Sequence, residues 1–203
     1  MKLKMDEIET PIGTLRVAAL EDVLCAVGFA DHWASLLAAL HQRFGEVRLE
    51  RQANPGDATS RLAAYFAGDL SALDDLRVDA GGTAFQRKVW AALRTIPPGR
   101  TASYSDVAKA IGSRTAVRAV GAANGSNPIS IVVPCHRVIG ADGRLCGYGG
   151  GIERKRWLLQ HERAVVASCR IESAIHANPE MQEAAQSPSV WLVRRGIDEG
   201  DRT

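Results

Sequence analysis

The strongest candidate for chemistry in this sequence is the thiol of Cys135, set in the run Val133-Pro134-Cys135-His136-Arg137. Only a thiolate is a strong nucleophile, and a free thiol, with a pKa of about 8.5, is mostly protonated at neutral pH. Reactivity therefore needs an electropositive, partly desolvated site and a base. His136 is the base nearest in the chain, yet neighbouring side chains on an extended strand point to opposite faces. It can act on Cys135 only if the backbone turns there, as at a helix start, whose unpaired amides would also lower the thiol pKa. The imidazole in turn needs a partner that fixes its tautomer and raises its basicity. Glu162, on the last predicted helix, is a carboxylate able to fold back onto it. Against this stands a plainer reading, a buried structural cysteine and a solvated helix-end glutamate, which is how most free cysteines end.

Two successive parts of the chain must position these residues. Short strands over 7–9, 15–19 and 24–29, with a turn at Thr10-Pro11-Ile12-Gly13, begin a small α/β unit. Trp33, Leu36, Leu37, Leu40 and Phe44 predict a helix over 31–44 that Gly45 ends, and a polar loop over 51–57 follows. Leu62, Tyr65 and Phe66 predict another helix over 57–67. The irregular, acidic stretch 68–82 closes on Gly81-Gly82 and sets a first domain at 1–81. The second, 82–163, opens on the capping box Thr83-Ala84-Phe85-Gln86. Its apolar stripe, Phe85, Val89, Trp90, Leu93 and Ile96, is stopped by Pro97-Pro98-Gly99. A short helix capped by Ser103 and Asp106 ends at Gly112, and small residues over 115–123 predict a second; such a pair around a glycine turn suggests a helix-turn-helix. The turn Asn127-Pro128 leads into a β-rich strand, 129–133, that delivers Cys135. A glycine-rich loop, 140–151, precedes a helix over 153–162. Residues 164–203 are polar, hold Pro179 and Pro188, and read as a flexible extension.

Composition narrows the class. Apolar residues make up 46% and charged residues 24% of the chain, enough to bury a core. A net charge of +2 does not announce a nucleic-acid partner, but between residues 100 and 163 ten basic residues face four acidic ones. Such a stretch suits a polyanion, and equally a solvated basic face. The start, MKLKMDEIET, has no apolar signal region, and no run approaches the ~18 apolar residues of a membrane span, so no membrane is expected. Cys25, Cys135, Cys146 and Cys169 lack CxxC spacing and make neither a disulfide framework nor a zinc module. A reducing, cytoplasmic setting is the expectation.

The octet Val133 through Gly140, VPCHRVIG, resembles the active-site signature of the O6-alkylguanine-DNA alkyltransferases, also called methylated-DNA–protein-cysteine methyltransferases. The likeness extends in order from about Asp6 to Glu162. It takes in Thr10-Pro11-Ile12-Gly13, Phe85-Gln86 with Val89-Trp90, Pro98-Gly99 with Ser103-Tyr104, and Arg118-Ala119-Val120-Gly121 through Asn127-Pro128. Gly147-Tyr148, Gly150-Gly151 and the stretch from Lys155 to Glu162 complete it. The resemblance implies an α/β protein: a small ribonuclease H-like first domain, then a mostly helical domain with a helix-turn-helix.

It also implies roles. Cys135 is the acceptor and forms a thioether that is not regenerated. His136, through a water, takes the thiol proton, and Glu162 holds the imidazole. Asn127 braces the turn before the thiol. Tyr104 sits at the nucleotide's 3′ phosphate and donates to the departing guanine, while Tyr148 and the Gly149 amide border the pocket. The carbonyls of Cys135 and Val138 read the guanine amino group. Arg118 fills the gap left by a flipped nucleotide. Ala119 and Gly121 give its helix a face slim enough for a minor groove about 6 Å wide; small residues at this spacing serve helix packing equally well. Lys109 and Arg114 contact phosphates. The implied partner is duplex DNA bearing O6-alkylguanine, with O4-alkylthymine a second candidate, acted on by a monomer without cofactor. Some family members bind zinc in the first domain; Leu20 and Cys25 stand where two such ligands would lie, so no metal is expected. Gly149 replaces a serine of other members. Cys146 reads as an incidental loop residue, with a second alkylation or oxidation site as its alternative. Two other classes compete. A damage sensor binds lesions without repair, but such relatives lack the acceptor cysteine. A cysteine hydrolase would usually draw its base from a distant segment.

Overall fold

Alternation of Leu3 and Met5 with Lys2, Lys4 and Asp6 makes a strand of the first residues, Lys2–Ile8 (β1), in the computed structural model, which describes residues 1–177. The strand thus starts well before the expected 7–9, its charged residues having hidden the period. Leu15–Leu20 (β2) and Val23–Phe29 (β3) follow as an antiparallel meander, and Arg48–Arg51 (β4) adds parallel to β1, for the order β3-β2-β1-β4. Sequence periodicity misses β4 because Leu49 is its only apolar residue; main-chain pairing to β1 holds it. Trp33–Phe44 (α1) ends at Gly45, whose φ of 76° lies in the left-handed region glycine tolerates. It covers a small core of Leu3, Ala18, Cys25, Ala26, Trp33, Leu40 and Val47.

The larger core ignores the expected boundary. Leu15, Val17 and Phe29 from the sheet, and Leu62 and Tyr65 from Ala58–Phe66 (α2), share one cluster with Val89, Trp90 and Leu93 of Ala84–Arg94 (α3), and with Val133, Cys135 and Leu158. Residues Met1–Arg163 accordingly form one compact unit. The outer edge of β3 is covered from both directions. Asp79 N donates to Leu24 O at 2.8 Å, and Ser130 N donates to Val27 O at 2.8 Å. This protects a sheet edge and ties the segment leading to Cys135 to the first part.

Both expected capping boxes form, Thr83 with Gln86 on α3 and Ser103 with Asp106 on Tyr104–Ala110 (α4). Gly112, at φ 72°, turns the chain towards Val117–Gly125 (α5). The run 129–133 is not a strand. It is a buried turn in which Val133 N returns to Ile129 O at 2.9 Å and Ile131 adopts φ 72°. An apolar run cannot by itself separate strand from buried coil, and here the Asn127 side chain bends it. Its Oδ1 accepts from Ile129 N at 3.0 Å, and its Nδ2 donates to Val133 O at 2.8 Å. Two-residue strands Ala102–Ser103 (β5) and Val138–Ile139 (β6), too short to show in sequence, pair in parallel beyond it.

Ile152–Ala177 (α6) overruns the expected helix end. Residues 164–177 are helical rather than irregular, because no Gly or Pro interrupts a segment that carries four alanines before Pro179. The rest of the extension, 178–203, lies outside the described residues. Among the described residues no helix is long and apolar enough to cross a membrane.

Candidate active site

The backbone does turn at the thiol: Cys135–Arg137 is a single 3₁₀ turn following Pro134. Cys135 is 5% exposed, and its sulfur accepts from Asn127 Nδ2 at 3.1 Å. The residue that bends the preceding turn therefore also touches the nucleophile. Burial pushes the thiol pKa up, against the Asn127 hydrogen bond, the Lys155 charge and the amides of Cys135 and His136. The expected lowering is overturned, because desolvation of the anion outweighs the donors. The resting sulfur is a thiol that needs a base.

The base is assembled beside it. His136 is fully buried, and its Nε2 meets Glu162 Oε1 at 2.8 Å. A carboxylate there assigns the ring proton to Nε2. Nδ1 keeps a lone pair and has no hydrogen-bond partner among the described residues. Burial lowers the imidazole pKa below its ordinary 6.5, opposed by Glu162, so the ring is neutral. Burial alone would raise the Glu162 carboxyl, but His136 and Arg137 hold it well below the usual carboxylate range.

Three groups at this site escaped the sequence reading. Arg137 is buried and bonds Glu162 through Nε, at 3.1 Å to each oxygen, and through Nη2 at 2.9 Å; its Nη1 donates to Ile96 O. Its place in the motif, two residues after Cys135, is the available signal. Tyr65 donates to Glu162 Oε1 at 2.9 Å from α2, and nothing in its apolar helical pattern marks that. Lys155, fully buried, donates to Val138 O at 2.6 Å and Cys146 O at 2.7 Å, tying the loop that carries Cys146 to the segment after Cys135.

Around the sulfur, Tyr104 is half-buried, and burial followed by the charges of Cys146 and Cys135 raises its pKa. The Tyr148 hydroxyl is buried, and burial followed by the Cys135 charge raises its pKa well above the ordinary value. Both phenols stay protonated and lie close enough to feel the thiolate. Val138 is buried in the core cluster against which both rings pack. Gly149 is exposed, and a Cβ there would meet nothing within 4 Å, so its side of the loop is open. Gly150 is different: a Cβ would come within 2.5 Å of the Phe29 ring. Arg154 clamps this loop to the first part, bonding Gly150 O at 3.1 Å, Ile12 O at 2.8 Å and Asp31 at 2.8 Å.

The remaining sequence candidates form a surface. Arg118 and Ala119 are exposed at the start of α5, with Ala122 and Gly125 on the exposed side and Val120 and Ala123 buried. A Cβ on Gly121 would sit 3.9 Å from the Tyr104 ring, so α5 runs directly past that phenol. Arg114 is exposed in the preceding turn, and Lys109, on α4, reaches Asp106 at 3.4 Å. In the first part Cys25 is buried, with Sγ donating to Val23 O at 3.5 Å. A polar cavity of about 340 Å³ lined by Asp22, Asn54, Asp57, Arg61 and Arg77 holds none of the candidate residues.

Two of the buried titratable groups, His136 and Glu162, make stability in acid pH-dependent with one sign. Both folded pKa values lie below the unfolded ones, so the unfolded chain binds more protons in acid. Stability is expected to be full above about pH 6.5, where unfolded histidine is neutral, and to fall progressively as pH drops through the carboxylate range. Urea midpoints measured from pH 7 to 4 check this, and a flat profile would contradict the burial assigned to the pair.

Fold and site define a class: a protein with a cysteine nucleophile, whose thiol sits in a helical part backed by an α/β part. Within that class two family models match. Residues 4–80 match the 6-O-methylguanine DNA methyltransferase, ribonuclease-like domain, and residues 84–164 match the DNA binding domain of the same family. The chain belongs to the 6-O-methylguanine DNA methyltransferase family, as the motif resemblance implied. It is 48% identical over 165 residues to the methylated-DNA--protein-cysteine methyltransferase of Shigella flexneri, covering 80% of this chain and 96% of that one. The protein of the same name from Mycobacterium tuberculosis (strain ATCC 25618 / H37Rv) is 48% identical over 160 residues, covering 77% and 90%. Among solved structures, Mycobacterium tuberculosis OGT in complex with DNA superposes with a TM-score of 0.68 at 42% identity, over 81% of this chain and 94% of that one. O6-methylguanine-DNA methyltransferase from the archaeon Pyrococcus kodakaraensis does so at 0.61 and 28% identity, over 79% and 98%.

Proposed function

We propose that this chain is a methylated-DNA–protein-cysteine methyltransferase that removes the alkyl group from O6-alkylguanine in duplex DNA. The observation that carries the reading is a buried thiol held by Asn127, next in the chain to an imidazole already paired with Glu162. His136 Nδ1 accepts the thiol proton through a water. The sulfur attacks the alkyl carbon, the carbon–O6 bond breaks, and its electron pair leaves on guanine. Tyr104, protonated at neutral pH, donates a proton to the base, and the proton held by His136 passes back through water to restore the phenol. A thioether has no leaving path at this site, so each molecule acts once. Raised thiol pKa and paired base suit each other: the anion forms only as it is consumed, which limits side reactions of a standing thiolate.

A guanine inside a duplex is out of reach and must be flipped, at a cost of a few kcal/mol that is smallest for damaged pairs. The exposed face of α5 supports this step. Arg118 lies beside Ala119, Gly121 and Ala122, so the helix is slim where it must enter a minor groove and carries one long cation to fill the stack. Here α4 and α5 act as a helix-turn-helix, with Lys109 and Arg114 on phosphates. Tyr148, the Gly149 amide, and the carbonyls of Cys135 and Val138 surround the base; the Val138 carbonyl, already held by Lys155, has its second lone pair for the guanine amino group. We place the activity in the cytoplasm, the reducing setting that suits a free acceptor thiol.

Duplex carrying O6-[methyl-³H]guanine tests the reading. One label per protein molecule, with no further turnover, is expected; repeated turnover indicates a hydrolase, and binding without label a damage sensor. Arg118→Ala is expected to slow repair in duplex about tenfold or more, matching a lost share of the flipping energy, while free O6-benzylguanine reacts within about twofold of wild type. Equal losses on both substrates would remove the stacking role.

A further inference from the structure

Tyr65 meets Glu162 across 97 residues of sequence, and both side chains are fully buried. The oxygen it donates to, Oε1, also accepts from His136 Nε2 at 2.8 Å and Arg137 Nη2 at 2.9 Å, whereas Oε2 takes the Gly99 amide at 3.1 Å. The phenol cannot swing away. Its ring packs edge-on against Phe66 at 5.3 Å and His161 at 5.4 Å, and the His161 ring bonds the Tyr65 carbonyl at 2.9 Å.

We propose that Tyr65 is a positioning residue for the base, holding the Glu162 carboxylate against His136 from the ribonuclease-like half of the chain. Two consequences follow from several donors sharing one oxygen. The carboxylate loses a rotation it would have with Arg137 alone, and the phenol takes up part of the charge that would otherwise pull on the Nε2 proton. The charged and titratable groups around the imidazole are Glu162, Arg137 and Lys155, with Cys135 beside it in the chain and Tyr65 and His161 behind the carboxylate. Among these, only the phenol can be deleted as a donor without changing net charge or ring packing. The first part of the molecule then does more than back the site: it sets how basic the imidazole is.

The inference rests on His136 being the base, and its primary test needs no DNA. In full-length Tyr65→Phe, a ¹⁵N NMR titration of the His136 ring is expected to run about half a unit or more above wild type, because the freed carboxylate binds the Nε2 proton more strongly. With labelled duplex, the acid limb of the transfer rate moves the same way, an approximately threefold or greater loss on that limb. Phe66→Leu, which disturbs the same aromatic packing but no donor, lowers the thermal midpoint and leaves both titrations in place. A Tyr65→Phe titration that coincides with wild type overturns the proposal, as does an equal shift in Phe66→Leu. Should the phenylalanine variant not fold, 3-fluorotyrosine placed at position 65, a stronger donor, must shift the His136 titration downward, and no shift again overturns it. A wild-type protein that takes no label, yet shows these shifts, refutes the proposed function alone.

Discussion

Cys135→Ser is expected to take up no label from O6-[methyl-³H]guanine duplex, a fall of about 10³-fold or more, while still folding and still binding the duplex. Serine fits where the thiol was: its oxygen is smaller and can accept from Asn127 Nδ2, which now lies 3.1 Å from the sulfur. The chemistry does not fit. Burial already raises the thiol above its ordinary value despite Asn127, Lys155 and two amides. An alcohol starts many units higher, and a neutral imidazole whose own basicity is lowered by burial cannot take its proton. Folding is checked by the thermal midpoint and duplex binding by gel shift. A serine variant that accepts label at near-unit stoichiometry would move the acceptor elsewhere, first to Cys146, the half-exposed thiol whose carbonyl Lys155 holds.

What could be read from the sequence was whatever lay close together along it. Cys135 and His136 are adjacent, Asn127 stands just before them, and Glu162 is one of two carboxylates, with Glu153, on the following expected helix; the structure brings Cys135, His136, Asn127 and Glu162 together. Arg137 stood in the same motif, but that it is a buried counter-charge emerges only once Glu162 is seen to accept from three of its contacts. Tyr65 carried no local signal, since a tyrosine in an apolar helical pattern is ordinarily core, and its hydroxyl becomes polar machinery through a contact 97 residues away. The sign of the thiol shift failed for the same reason. Helix-start amides are a local feature and favour the anion, whereas desolvation is set by everything that packs over the sulfur.

The fold shows the same division. Capping boxes at Thr83 and Ser103 are local and appear as expected. The apolar run 129–133 was misread because its fate depends on the Asn127 side chain, which bends it, and on β3, which it reaches through Ser130. Strand β4 has almost no apolar residues and exists because β1 offers it a free edge. Composition suggests a boundary near residue 81, yet the core that crosses it, from Leu15 and Tyr65 to Trp90 and Cys135, is not legible in it.

Glu162→Gln is expected to lose about 3–5 kcal/mol of stability, because it strands the Arg137 guanidinium in the interior without its counter-charge. It is also expected to slow transfer about 10²–10⁴-fold, the usual worth of a general base, since an amide neither fixes the imidazole tautomer nor stabilises the imidazolium formed as the thiol proton leaves. Urea denaturation measures the first effect and single-turnover transfer the second. The two losses have different origins, and a double variant separates them. In Glu162→Gln with Arg137→Met the buried cation is gone, so most of the stability should return, as it does when a buried ion pair is replaced by apolar packing. The rate should not, because the missing carboxylate is still missing. If the double variant recovers rate together with stability, Glu162 serves the fold and not the proton, and His136 works unaided.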